Sequence, residues 1–166
     1  MTDTELLIDG ARPAVRLERQ LADPPPVVWQ AITDRDQLRS WFPWDVEVAG
    51  GVWKVGATIT FHLVSEDGEM TLPGEVFAVD EPKLLAFGWG EEWLRFELSP
   101  HGTGTRLVLI DELPPATAAR NAAGWEVCLD RLAGIEPAPD AWQSHFDAYS
   151  AAFEPLAGPQ DGPPTH

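Results

Sequence analysis

LLAFGWGEEWLRFELSPHGTGTRLVLIDEL, residues 84 to 113, alternates apolar and polar side chains three times over. Leu85, Phe87 and Trp89 share one parity, Leu94, Phe96 and Leu98 a second, and Leu107 and Leu109 a third. A period of two marks strands with one buried face. Just beyond, Trp125, Cys128, Leu129 and Leu132 recur at the spacing of a helix with one apolar stripe. The fold class that follows is α+β, a curved antiparallel sheet laid over a long helix. Such a pairing can enclose a hollow lined with aromatic rings.

Upstream of that stretch, Val15, Leu17 and Leu21 share the inner parity of a first strand with Arg19. Asp23 before three prolines predicts a helix start that carries Val28, Trp29 and Ile32 inward. Asp34 and Gln37 fit a capping box for a second short helix, in which Leu38, Trp41 and Phe42 recur until Pro43. Strands are expected at residues 45–48, 57–64 and 70–79, with hairpin turns at 90–92 and 99–104. Short connections between successive strands imply an antiparallel meander. After Pro114 and Pro115 the Trp125 helix runs to Gly134, and Asp140 is placed to cap an amphipathic segment bearing Trp142, Phe146, Tyr149 and Phe153.

A single domain over residues 14–156 suits a chain of 166 residues. Residues 1–13 read as a weakly ordered N-terminus or an addition to a sheet edge. Residues 157–166, rich in glycine and proline, read as a disordered tail with too little apolar surface to offset its ordering entropy.

The net charge of −16, from 27 acidic against 11 basic residues, argues against nucleic-acid and anionic-lipid partners. No apolar run reaches the roughly 18 residues of a membrane span, so no membrane insertion is expected. The lone cysteine and the lack of an export signal suggest a cytoplasmic protein. No metal is expected, because His62, His101 and His145 fall on a strand, a turn and a late helix without paired spacing. Cys128 lies on a buried stripe, and Gly102 and Gly104 serve a hairpin rather than a phosphate loop, so neither a nucleophile nor a cofactor is expected.

Two polar residues share inward parities. Asp111 continues the row of Leu107 and Leu109; it either points at the helix, where a carboxylate needs partners or a raised pKa, or is solvated beyond the strand's end. Arg19 either binds a carboxylate of protein or ligand, or packs its stem and extends its head to water. Eight tryptophans stand out in the composition. Trp41, Phe61, Phe87, Trp89, Phe96 and Trp125 turn inward from different elements, as pocket walls or as closely packed core. Glu91, Glu92 and Trp93 fall at a hairpin tip, as rim or as solvated turn.

The order of strand, two short helices, meander and long helix resembles the START-like or SRPBCC superfamily, the helix-grip fold. VRLERQL with PPPVVWQAITDRDQLRSWF, then GEVFAVDEPKLLAFGW, ELSPHGTGTRLVLIDEL and AAGWEVCLDRLAG are similar to the branch named after activators of the heat-shock protein 90 ATPase. The resemblance spans residues 14 to 134 and implies a sheet wrapped around the C-terminal helix. It also implies a pocket for apolar molecules such as lipids, hormones or polyketides. The activators that lend the branch its name carry a further domain ahead of this one, for which 166 residues leave no room, so their co-chaperone role is not the first expectation. The expected function is binding of a hydrophobic or amphipathic small molecule without catalysis. Trp41, Phe61, Phe87, Trp89, Phe96, Trp125, Asp111 and Arg19 are the candidate ligand-binding residues. A polyketide cyclase or dehydratase and a protein-interaction module are the alternatives.

Overall fold

A computed structural model describes residues 3–8, 10 and 12–162. Eight strands form one antiparallel sheet: β1 (Asp3–Leu7), β2 (Ala14–Leu21), β3 (Asp45–Val48), β4 (Thr58–Ser65), β5 (Gly68–Asp80), β6 (Leu84–Trp89), β7 (Glu92–His101) and β8 (Gly104–Glu112). Their order across the sheet is β1-β2-β8-β7-β6-β5-β4-β3. Strands β3 to β8 make the expected meander, and β2 closes onto its last member. Residues 3–7 take the second of their two alternatives, pairing with β2 as an edge strand from Asp3↔Glu18 to Leu7↔Ala14.

The described residues also form four α-helices. The short pair α1 (Pro25–Thr33) and α2 (Arg35–Leu38) follows β2. Pro24, not Asp23, caps α1, and the Asp23 carbonyl accepts a hydrogen bond from Thr105 Oγ1 at 2.7 Å. Half of the expected capping box at α2 forms: the Gln37 backbone N–H donates to Asp34 Oδ2 at 3.1 Å, while the Asp34 N–H donates to the Gln30 carbonyl of α1 and not to the Gln37 side chain. This second helix is shorter than its apolar spacing suggested, and Trp41 and Phe42 sit in the turn beyond it, both buried.

Helix α3 (Ala118–Leu132) lies against the sheet, with α4 (Ala141–Ala157) packed on its other side. Burial on two sides explains the run of alanines at 118, 119, 122 and 123, all fully inaccessible. They let both layers approach the helix closely. Gly134 ends the segment at φ 78°, the left-handed conformation that glycine adopts without steric penalty.

Of the expected tail, residues 163–166 lie outside the described residues. Ahead of them, Gln160 Oε1 accepts from the Ala119 backbone N–H at 2.9 Å, which caps one of the N–H groups at the start of α3 that have no intrahelical partner, and the Asp161 N–H donates to Ala116 O at 2.8 Å.

Curvature enters between β5 and β6, where the register shifts between Val76 and Ala78. A β-bulge of this kind increases twist and bends the sheet. Nearby, a Cβ on Gly74 would collide with the Gly88 carbonyl and the Phe61 ring, so the chain passes here only as glycine.

Candidate functional site

The concave face of the sheet is paved by alternate residues of neighbouring strands. Antiparallel register sets Phe87 beside Leu94 and Leu94 beside Asp111, with Leu85, Phe96 and Leu109 in the next row. Side chains opposite one another on one face lie about 5 Å apart, so these rows are contiguous. Over them, Phe61 and Phe87 stack at 6.0 Å, Phe87 and Phe96 at 5.9 Å, and Trp41 meets Phe96 edge-on at 6.2 Å. Trp125 descends from α3 to meet Trp89 at 5.8 Å and Phe42 at 5.7 Å. All six expected wall rings thus belong to one cluster in mutual contact, with centroid separations typical of favourable aromatic pairs.

Recesses among the described residues reach this cluster from two sides. One, of about 220 Å³, lies between α1, the turn after α2 and the end of α3, and touches the cluster at Trp41. The other, of about 500 Å³, is bordered by Phe42, Trp44, Leu63 and Val64, with Arg35, Arg39, Asp45, Glu47, His62 and Glu69 around it. Phe42 and Trp44 in turn touch Trp89, at 5.4 and 6.4 Å. A recess open to water and the aromatic cluster therefore share two walls.

Asp111 lies at the far side of Trp125. The strand continues to Glu112, so its side chain faces inward and is 0% exposed. Of the two sequence alternatives, solvation is excluded. The Trp125 indole N–H donates to Asp111 Oδ2 at 2.9 Å, and the Glu92 carboxyl lies within hydrogen-bonding reach of the same group. Burial pushes the Asp111 pKa well up, and the neighbouring Glu92 carboxyl raises it further by repulsion and by hydrogen bonding to the protonated acid. The Glu92 pKa is raised as well, chiefly by burial. Two carboxyl groups within hydrogen-bonding reach can bond only by sharing a proton. Close by, the Trp89 indole N–H is buried and also lacks an acceptor.

Glu92 was legible but misread. It begins β7, opposite Trp89 in the register, and shares the inward parity of Leu94 rather than forming a solvated tip. Asn121, whose Nδ2 donates to Glu92 Oε1 at 2.9 Å, lies one helical turn before Trp125 on the stripe of α3 that faces the sheet. Extending each pattern by one repeat would have found both. Trp93, the next residue of that tip, does face outward. It is 50% exposed, stands edge-on to Phe77 at 5.9 Å, and borders a shallow groove with Ala86 and Ile110 on the convex face.

Arg19 lies elsewhere on the concave face, 6% exposed, with protein carboxylates around its guanidinium. Nη1 donates to Asp130 Oδ1 at 2.7 Å, and Nη2 donates to Glu126 Oε2 at 3.1 Å and to the Glu126 carbonyl at 3.2 Å. Glu126 also accepts from Thr4 Oγ1 at 2.6 Å and the Tyr149 hydroxyl at 3.2 Å. Of the eight candidate residues, the six rings and Asp111, bonded to Trp125, form one connected group, and Arg19 instead fastens β2 to α3. Glu126 went unseen because a charge beside an apolar stripe reads as solvent-facing until α4 is known to cover it. Cys128, on the same helix, is buried, and its thiol pKa is pushed up to about 11 by desolvation.

Comparison with known proteins places these features in a family context. The family model described as Activator of Hsp90 ATPase homolog 1-like protein matches residues 22–135. No curated protein matches the chain. Among solved structures, CalU16 from Micromonospora echinospora is 21% identical with a TM-score of 0.73, covering 93% of this chain and 99% of its own. The conserved protein of unknown function EF2215 from Enterococcus faecalis is 24% identical with a TM-score of 0.74, covering 93% of this chain and 92% of its own. At these identities the likeness is one of fold. No helix among the described residues is long and apolar enough to cross a membrane.

Proposed function

We propose that this chain, which belongs to the Activator of Hsp90 ATPase homolog 1-like family, binds a hydrophobic or amphipathic small molecule between its sheet and α3, without catalysing its conversion. The observation that carries this reading is the buried Trp89 indole N–H, left without a protein acceptor in an aromatic cluster whose rings Phe42 and Trp44 also wall an open recess. Buried polar groups in native proteins almost always have partners, and an orphan costs about 1–3 kcal/mol. A guest that supplies an acceptor to Trp89, with its apolar body against Phe42 and Trp44, would offset that penalty. Apolar burial adds about 25 cal/mol per Å² to its affinity.

The test is a titration with a panel of lipids and polyketides, following tryptophan fluorescence and melting temperature together. Binding should change the emission of the clustered indoles and raise Tm, because a ligand that prefers the native state stabilises it by mass action. A panel that moves neither signal would refute the reading.

A second reading rests on the Asp111 and Glu92 carboxyls. A buried acid whose pKa is raised well above the ordinary 3.8, beside a second acid, is a fitting donor for cyclase or dehydratase chemistry. In that case Asp111→Asn would abolish turnover of a poly-β-ketone substrate while leaving its binding intact.

A further inference from the structure

We infer that the recess between α1, the turn after α2 and the end of α3 is a second binding site, separate from the one proposed above, and that it takes an α-amino acid with a bulky apolar side chain. Its floor is apolar, formed by Leu21 of β2, Val28 and Ala31 of α1, Trp41 beyond α2 and Leu132 of α3. Leu21, Val28 and Trp41 are buried, and the Trp41 indole N–H already donates to the Ala31 carbonyl at 2.9 Å, so this floor asks no hydrogen bond of a guest. An apolar cavity of about 150 Å³ holds a benzene molecule. At about 220 Å³ the recess has room for such a ring and a short polar chain.

Two opposite charges, Asp23 and Arg131, border the same recess. Among the described residues six arginines are ion-paired and Arg131 is not one of them, nor does the Asp23 carboxylate pair with a cation. The Thr105 hydroxyl holds the Asp23 backbone carbonyl and leaves the carboxylate unused. Each charge stands where a helix end favours its sign, the acid just ahead of α1 and the cation in the last turn of α3, so neither depends on an ion-pair partner from the protein. In a chain with 27 acidic residues against 11 basic, a guanidinium left without a carboxylate beside an apolar recess is available to a guest's anion. A guest with a carboxylate for Arg131, an ammonium for Asp23 and an apolar side chain for the floor answers all three. A carboxylate alone is repelled by Asp23, and an ammonium alone by Arg131. Both charged residues are exposed, so the apolar side chain supplies most of the affinity and the charges supply the discrimination.

Three probes with one ring test this: L-phenylalanine, 3-phenylpropanoate and 2-phenylethylammonium, titrated into the full chain at pH 7 by calorimetry and tryptophan fluorescence. Phenylalanine should bind about fivefold tighter than either singly charged probe. Asp23→Asn should weaken phenylalanine and 2-phenylethylammonium about threefold and leave 3-phenylpropanoate unchanged or tighter. Arg131→Gln should weaken phenylalanine and 3-phenylpropanoate by a similar factor and leave 2-phenylethylammonium unchanged or tighter. Lost packing would shift all three probes together, so the crossed pattern separates recognition from structure. A singly charged probe that binds as tightly as phenylalanine, phenylalanine indifferent to both substitutions, or no binding of phenylalanine at millimolar concentration would overturn the inference. Should either variant fail to fold, the ranking of probes on the unaltered protein decides alone. The lipid and polyketide panel bears on the Trp89 side of the cluster, so either site can fall while the other stands.

Discussion

Arg19 and Asp111 sit on inward positions of neighbouring strands beneath the same helix, and the sheet surrounds them with opposite company. Their rows are four residues apart along β8, or about 13 Å. At one position a cation meets two carboxylates, and hydroxyls from β1 and α4 complete the set, with only Arg19 Nε left over. At the other, an acid meets an acid, and the Trp89 indole N–H close by has no acceptor. The first cluster sets charge against countercharge. The second sets like against like, and the difference shows that what a buried charge meets, and not its burial, distinguishes the two positions.

The comparison breaks most readily at Arg19. Arg19→Ala leaves Glu126 charged, buried and short of a cation, which should cost about 3–5 kcal/mol in urea denaturation. Asp111→Asn should go the other way, raising stability at neutral pH by about 1 kcal/mol or more. Its carboxamide still accepts from Trp125 and can donate to Glu92, removing the clash of like charges. A loss at Asp111 as large as that at Arg19 would show both clusters to be structural. A gain would mark stability given up where function needs it.

The pH dependence sharpens the contrast. Because the Asp111 pKa is raised on folding, its stabilisation is complete below the ordinary value of 3.8 and is lost as pH rises through its own higher pKa. The unaltered protein should lose stability across that window, and Asp111→Asn should flatten the profile. Cys128, between Glu126 and Asp130 on α3, offers a kinetic probe: its buried thiol should react slowly with a disulfide reagent. Arg19→Ala should speed labelling markedly and Asp111→Asn should not.

The smallest effect belongs to an exposed counterpart of the Arg19 pair. Asp45 accepts from Arg35 Nη2 at 2.9 Å, and this bond, helped by Arg39, lowers its pKa to about 2. Its contribution is present above 3.8 and lost as pH falls through about 2. With Arg35 well exposed, Arg35→Ala should cost no more than about 1 kcal/mol, visible as a shallower acid limb in thermal melts.

Much of this was written in residue periodicity. The parity of Leu85, Phe87 and Trp89 with their neighbours, and the helical spacing from Trp125, carry the α+β class and the meander because burial on one face leaves a repeat of fixed period. The same parity put Asp111 and Arg19 on the inner face. Composition carried no trace of the contacts near the C-terminus, since Gln160 acts through three specific hydrogen bonds that no bulk property records. Glu92 and Asn121 were missed because polar residues at strand and helix ends carry no hydrophobic signal.

By itself, then, the sequence determined which side of each strand and helix faces the core, because that choice is local and repeats along the chain. What only the tertiary structure decided is which polar groups meet there. Arg19 faces Glu126 and Asp130 across more than a hundred residues, whereas Asp111 faces Glu92 and the Trp125 indole. Partnership depends on strand order, register and helix placement together, and it is partnership that tells the two clusters apart.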